Sequence, residues 1–260
     1  MPVTYSSYLK IDELLRLQQP LSDGPEHDEM LFIVIHQVYE LWFKQMLHEL
    51  DYLQKLLGAN DTPRALHTLK RVLTILKVNV AQIDILETMT PLEFLSFRAR
   101  LESGSGFQSY QFRAFEFAIG VKQPAALDRY EPGSPARLEL ERRFAAPTVW
   151  DAFLRYLAAA GHPVPADALG RDVSLPITES AGLQKVLLDV YRNDAAARTL
   201  CERLVDLDEG VQEWRYRHVK MVQRTIGTKR GTGGSDGVAY LKTTLDRSAF
   251  PDLWAIRAEL

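Results

Sequence analysis

Six histidines are the residues of this chain best suited to bind a metal, take a proton or hold a polar ligand: His27, His36, His48, His67, His162 and His218. Two of them, His36 and His218, fall within apolar stripes of helical spacing, far apart in the sequence. His218 keeps company with Trp214, Met221 and Val222, a setting in which an imidazole can meet a flat apolar cofactor. Axial ligation of haem iron uses such a histidine, its second ring nitrogen set by the surroundings. His36 lies one turn from Phe32 and Tyr39, so it can face the other side of the same cofactor as an acid–base or hydrogen-bonding group. The competing reading makes both histidines ordinary core residues satisfied by hydrogen bonds.

Other chemistry is less well provided for. His48, His67 and His162 read as surface or structural residues. Glu26-His27-Asp28-Glu29 offers donors for a cation, with facial-triad chemistry as one extension. The simpler reading is acidic residues favouring the positive end of a helix dipole. His-Glu-x-x-His and a repeated Glu-x-x-His are both missing. The single cysteine, Cys201, excludes an intramolecular disulfide and a cysteine-based metal cage, and reads as a core thiol in a reducing cytosol. Arg98, beside Phe94 and Phe97, is either an anchor for an amino-acid carboxylate or a surface arginine lying over phenyl rings. The segment Gly231 to Gly237 has no preceding strand and no Gly-Lys-Ser/Thr, so it is not a nucleotide loop. Its glycines permit close backbone approach to a ligand, and Thr232 and Ser235 add hydroxyls; the alternative is a flexible tether. Ser103-Gly104-Ser105-Gly106 admits the same two readings.

Helices must position these residues. Between Asp28 and Leu57 there is no Gly or Pro, and two adjacent stripes (Leu31, Ile35, Val38, Trp42, Met46 and Phe32, Tyr39, Phe43, Leu47, Leu50) predict a helix buried on more than one side. Pro63 opens a second long helix carrying Leu69, Val72, Leu76 and Ile83, predicted to stop near Thr90-Pro91. A third runs from about Leu92 to the Ser103 loop, and a fourth carries Phe112, Phe115 and Ile119. Prolines break residues 120–180 into short pieces, read as a small helical insertion rather than a second domain. A long helix follows from about Glu179 to Arg224, broken near Asn193-Asp194, with Leu204, Leu207, Val211, Trp214, His218 and Met221 on one face. The expected fold is all-α: one domain over residues 1–260, a bundle of long helices around a pocket.

Composition sets the outer limits. In 260 residues, 46% are hydrophobic and 25% charged, which excludes disordered and low-complexity classes. The net charge of −3 gives no basic footprint for nucleic acid or an anionic membrane. No signal peptide and no apolar run of membrane-spanning length are evident, and a cytoplasmic location is expected.

Five segments together resemble the tryptophan 2,3-dioxygenase family. They are Tyr5-x-x-Tyr8-Leu9; His27-Asp28-Glu29-x-Leu31-Phe32-Ile33-x-x-His36-Gln37-x-Tyr39-Glu40-Leu41-Trp42-Phe43-Lys44; Ser105-Gly106-Phe107-Gln108-Ser109-x-Gln111-Phe112-Arg113; Trp214-Arg215-x-x-His218; and Ile226-Gly227-x-x-x-Gly231-Thr232-Gly233-Gly234-Ser235. The resemblance runs in order from Tyr5 to about Leu241, and the Pro-rich middle adds little to it. It implies an all-helical, tetrameric enzyme with haem b, one per subunit and ferrous when active. The implied reaction inserts both atoms of O2 across the indole C2–C3 bond of L-tryptophan, giving N-formyl-L-kynurenine. It further implies His218 as the iron ligand, with Trp214, Ser105 and Gly106 against the haem, and His36 as the distal histidine near the indole N–H. Phe32 would pack on the indole, Arg98 would pair with the carboxylate, and Thr232 would meet the ammonium and carboxylate. Tyr5 and Tyr8 would reach the site of a neighbouring subunit. Phe94 stands where some members carry a tyrosine directed at the carboxylate, so that hydrogen bond is absent here. Three other readings stay open on residue grounds: a related enzyme for another indole, a non-catalytic haem sensor or carrier with both histidines on iron, and a haem-free scaffold.

Overall fold

A computed structural model of the chain describes residues 2–24, 26–102, 104–231 and 237–260. Two short helices, α1 (Tyr5–Leu9) and α2 (Ile11–Leu14), come first and bury no residue. The long helix α3 (His27–Gly58) follows, then α4 (Thr62–Leu86) and α5 (Pro91–Phe97). Asp61 caps α4 by accepting from the Arg64 N–H, with Pro63 in the first turn. Thr90 and Glu93 close a reciprocal capping box that starts α5. The break before α5 therefore begins at Leu86, earlier than the sequence pattern indicated, and α5 gives way at Arg98 to a 3-10 turn over Arg98–Leu101.

The remaining helices are α6 (Tyr110–Ile119), α7 (Pro135–Ala145), α8 (Val149–Ala159), α9 (Ala166–Leu169), α10 (Ala181–Asn193), α11 (Ala195–Ile226), α12 (Val238–Lys242) and α13 (Pro251–Ala255). Asp194 separates α10 from α11: it adopts extended backbone and its carboxylate caps the Ala196 and Ala197 N–H groups. No strand occurs among the described residues, so the fold is all-α. No helix among them is long and apolar enough to cross a membrane.

Three long helices make the frame. α4 lies against both α3 and α11 along most of its length. Met46, Leu50 and Leu53 of α3, Leu69 and Val72 of α4, and Leu204, Leu207 and Val211 of α11 meet with almost no exposure. Truncating one such leucine to alanine costs about 2–5 kcal/mol. Gly210 eases the close approach of α11 to α4: a Cβ there would sit 2.7 Å from Leu76 Cδ2, and that side chain would have to shift. α8 packs Trp150 and Phe153 into the same core against α3, and Arg143 of α7 holds Asp51 of α3 through two hydrogen bonds of 2.7 and 2.8 Å. Gly120 ends α6 with φ of +106°, a conformation glycine takes without strain. The C-terminal segment is tied to α11 by buried Asp208, which accepts from the Ala249 and Phe250 N–H groups and the Trp254 indole.

Candidate functional site

The frame encloses a cavity of about 510 Å3 between α3, α5, α6 and the C-terminal half of α11. That volume lies within the roughly 300–1,000 Å3 of ordinary ligand pockets. Its walls are mainly aromatic, including Phe32, Tyr39 and Phe43 from α3, Phe94 from α5, Phe112 from α6 and Trp214 from α11. His36 and His218 both open onto it.

His36 has a defined tautomer. Its Nδ1 lies 2.6 Å from the Phe32 carbonyl oxygen. A carbonyl can only accept, so Nδ1 carries the hydrogen and Nε2 of the neutral ring is an acceptor. Burial lowers the pKa of His36, against the opposing pulls of the Phe32 carbonyl and Glu40. Glu40 is in turn held by Gln111, whose Nε2 donates to Oε2 at 2.9 Å. The Phe32 ring leans on the imidazole at 4.1 Å between centroids, and Phe94 and Phe97 pack on Phe32 at 5.8 and 5.5 Å.

His218 lies in drier surroundings. Burial, then repulsion from His36 and Arg113, brings its pKa down to about 4, so the ring is neutral at pH 7. It has no hydrogen-bond partner among the described residues. Trp214, one turn earlier on α11, stacks on it nearly parallel at 5.1 Å and 6°. Phe112 packs on that indole at 4.7 Å, tilted by 37°. The imidazole plane is thereby fixed while a ring nitrogen remains available to a ligand in the cavity.

Arg98 lines the cavity where α5 ends. Its Nη2 donates to the Arg230 carbonyl at 2.6 Å, whereas its buried Nε has no partner. Ser105 accepts from the Phe107 N–H and so starts the 3-10 turn Gly106–Gln108 along the cavity wall, and a Cβ at Gly106 would meet open space. Thr232 lies outside the described residues; Gly231 and Gly237, on either side of its segment, line the cavity. Tyr5 and Tyr8 are not brought to it: both are 76% exposed on α1.

A charged cluster at the cavity wall was missed from the sequence. Buried Glu116 of α6 meets Arg215 of α11 at 2.7 Å through Oε1, and Arg113 through its other oxygen. Arg215 also donates to the carbonyls of Thr244 and Arg247 at 3.3 and 3.1 Å. Two guanidinium groups share the Glu116 carboxylate and Glu40 also lines the cavity, so the charges here balance and a ligand meets a polar, neutral stretch of wall. The signals available were the i, i+3 spacing of Arg113 and Glu116 among phenylalanines and the arginine three residues before His218. Neither shows that the two helices meet.

The tryptophan 2,3-dioxygenase family profile matches residues 1–132 and 149–260. The chain belongs to the tryptophan 2,3-dioxygenase family. It is 61% identical to the tryptophan 2,3-dioxygenase of Herpetosiphon aurantiacus over 258 residues, covering 99% of this chain and 98% of that protein. The tryptophan 2,3-dioxygenase of Anaeromyxobacter sp. is 56% identical over 265 residues, covering 99% and 96%. That of Kineococcus radiotolerans is 45% identical over 261 residues, covering 99% and 91%. Every residue lining the cavity falls inside the two ranges matched by the tryptophan 2,3-dioxygenase profile. The unmatched stretch, residues 133–148, covers α7 and its flanking turns.

Proposed function

We infer that the protein is a haem-dependent dioxygenase that inserts both atoms of O2 across the indole C2–C3 bond of L-tryptophan, giving N-formyl-L-kynurenine and opening tryptophan breakdown by the kynurenine route. The observation that carries this reading is the pairing, across one aromatic cavity, of an imidazole free to ligate and an imidazole fixed as an acceptor. Haem b, one per subunit and ferrous in the active form, fits the donor set. His218 offers a neutral nitrogen with no competing partner, Trp214 and Phe112 offer flat apolar walls, and Ser105 and Gly106 leave room at the edge. Bound haem supplies the electronic route by which triplet O2 reacts with a closed-shell indole.

The chain's own residues do the rest. Phe32 packs on the indole plane, and the indole N–H donates to Nε2 of His36. An indole N–H is a poor acid, so His36 positions the ring rather than deprotonating it. The unpartnered Nε of Arg98 donates to the substrate carboxylate, while Nη2 stays on the Arg230 carbonyl. Thr232 meets the ammonium and carboxylate. The aromatic lining excludes water and strengthens each of these polar contacts.

The exposed α1, with Tyr5 and Tyr8, fits an arm that completes the site of a neighbouring subunit in a homotetramer. One continuous core supports a single domain over residues 1–260, and the short helices of residues 120–180 join it through Leu140 of α7 and Trp150 and Phe153 of α8. Substrate partners are L-tryptophan and O2, and the unpaired buried Cys201 suits the cytoplasm. The test is O2 uptake by haem-loaded protein with L-tryptophan, followed by formylkynurenine absorbance. Wild-type protein consumes O2 only with tryptophan, and His218→Ala loses both the Soret band and the uptake. Haem-replete wild-type protein that leaves tryptophan and O2 untouched overturns the reading.

A further inference from the structure

The N-terminal arm is held by contacts that the cavity does not explain. Glu29, in the first turn of α3, is only 2% exposed although it carries a carboxylate. Its Oε1 accepts from the Leu21 N–H at 2.7 Å and its Oε2 from the Ser22 N–H at 3.1 Å. Burial would raise the pKa of this carboxyl, but the nearby Ser22 hydroxyl, the two backbone donors and the charge of Arg100 bring it below its ordinary value. The Ser22 hydroxyl lies close by without closing a hydrogen bond of good geometry. On the other side of the same turn, Arg100 reaches Asp23 at 2.7 Å; both side chains are largely exposed, so this pair contributes little. Three and four residues before Leu21, Gln18 and Leu17 meet α3: Gln37 donates to the Leu17 carbonyl at 3.1 Å and accepts from Gln18 at 2.6 Å.

These contacts end at Leu17. Before it, α1 and α2 bury nothing and Lys10 between them adopts left-handed backbone, so the arm leaves the body of this chain at Leu17, beyond the Gln37 contacts and the turn that Glu29 grips. The clamp touches two elements of the local site. Glu29 precedes Phe32 on α3 by three residues, and Arg100 follows Arg98 on the same 3-10 turn.

We propose that Glu29 is a positioning residue: by gripping the backbone of residues 21–22 it sets the exit direction of the N-terminal arm and so delivers Tyr5 and Tyr8 to the tryptophan site of a second copy of this chain. The inference rests on the reading that the arm serves a neighbouring subunit. It adds the residue that aims the arm, and it predicts that Glu29 acts on a site in another subunit.

The test uses haem-loaded, full-length protein. In Glu29→Ala the KM for tryptophan rises on the order of tenfold, because an unaimed arm must be ordered at each binding event. Haem content, subunit number and kcat hold, and amide exchange speeds up over residues 14–22. Glu29→Gln, which keeps one acceptor, falls between wild type and Glu29→Ala. The deciding measurement is a hybrid oligomer of Glu29→Ala subunits with His218→Ala subunits, whose own sites are dead but whose arms are intact. Active sites in the hybrid regain a near-wild-type KM. A wild-type KM in Glu29→Ala, or a raised KM that the hybrid does not restore, overturns the proposal. A Tyr5→Ala/Tyr8→Ala double variant separates the two failures. If it keeps a wild-type KM, the arm has no part in catalysis and the underlying reading fails; if its KM rises while that of Glu29→Ala does not, only the clamp fails.

Discussion

Replacing Arg98 with methionine isolates the carboxylate contact. Methionine keeps most of the apolar stem and removes the guanidinium, leaving Phe94 and Phe97 to pack as before. A fully buried arginine–carboxylate pair broken on one side costs about 3–5 kcal/mol. Arg98 is half-buried, and one of its donors already belongs to the Arg230 carbonyl, so the lower end applies. About 3 kcal/mol is roughly 150-fold in affinity. The assay compares equilibrium binding of L-tryptophan and tryptamine, which lacks the carboxylate, to haem-loaded wild type and Arg98→Met. Wild type prefers tryptophan by about two orders of magnitude, and the variant binds the two ligands about equally. Losing the Arg230 contact disturbs both ligands alike and cancels in the ratio. If Arg98→Met weakens tryptophan and tryptamine by the same factor, the arginine does not read the carboxylate.

Three further outcomes follow from particular contacts. Arg215→Met strands part of the buried charge on Glu116 and lowers haem-free stability by about 3 kcal/mol, while the double variant with Glu116→Gln recovers much of it; equal losses in single and double variants would refute the coupling. Gly120→Ala combines a φ of +106° with a Cβ pressed against Ile177 Cδ1, and lowers the melting temperature by roughly 5–15 °C, read by calorimetry. His218 binds a proton near pH 6.5 when unfolded and only near pH 4 when folded. The unfolded chain therefore holds the extra proton between those values, and haem-free stability falls as pH drops from about 6.5 to about 4. His218→Phe shows a shallower fall in urea titrations over that window; an unchanged slope would contradict it.

Much of the frame was legible because its determinants are local. A stretch without Gly or Pro and with two apolar stripes gives α3, and the capping carboxylate of Asp194 gives the break between α10 and α11. Phe32, His36, Trp214 and His218 could be singled out because a polar imidazole on an apolar stripe is conspicuous. The Glu116–Arg215 pair was not legible, since its partners lie 99 residues apart and only packing of α6 toward α11 joins them. The clamp at Glu29 was hidden for a different reason: its donors are backbone N–H groups, which side-chain pattern does not reveal. The acidic cluster Glu26 to Glu29 holds no metal-like grouping among the described residues, and its buried member serves the arm.

With haem on His218 and L-tryptophan beside His36, one turnover in this cavity inserts both atoms of O2 into the indole. The most direct measurement is single-turnover reaction of ferrous, tryptophan-loaded protein with 18O2, followed by mass analysis of the product. Dioxygenation gives formylkynurenine carrying two heavy oxygen atoms from one O2 molecule. Recovery of unlabelled tryptophan, or of a product with a single heavy atom, would contradict it.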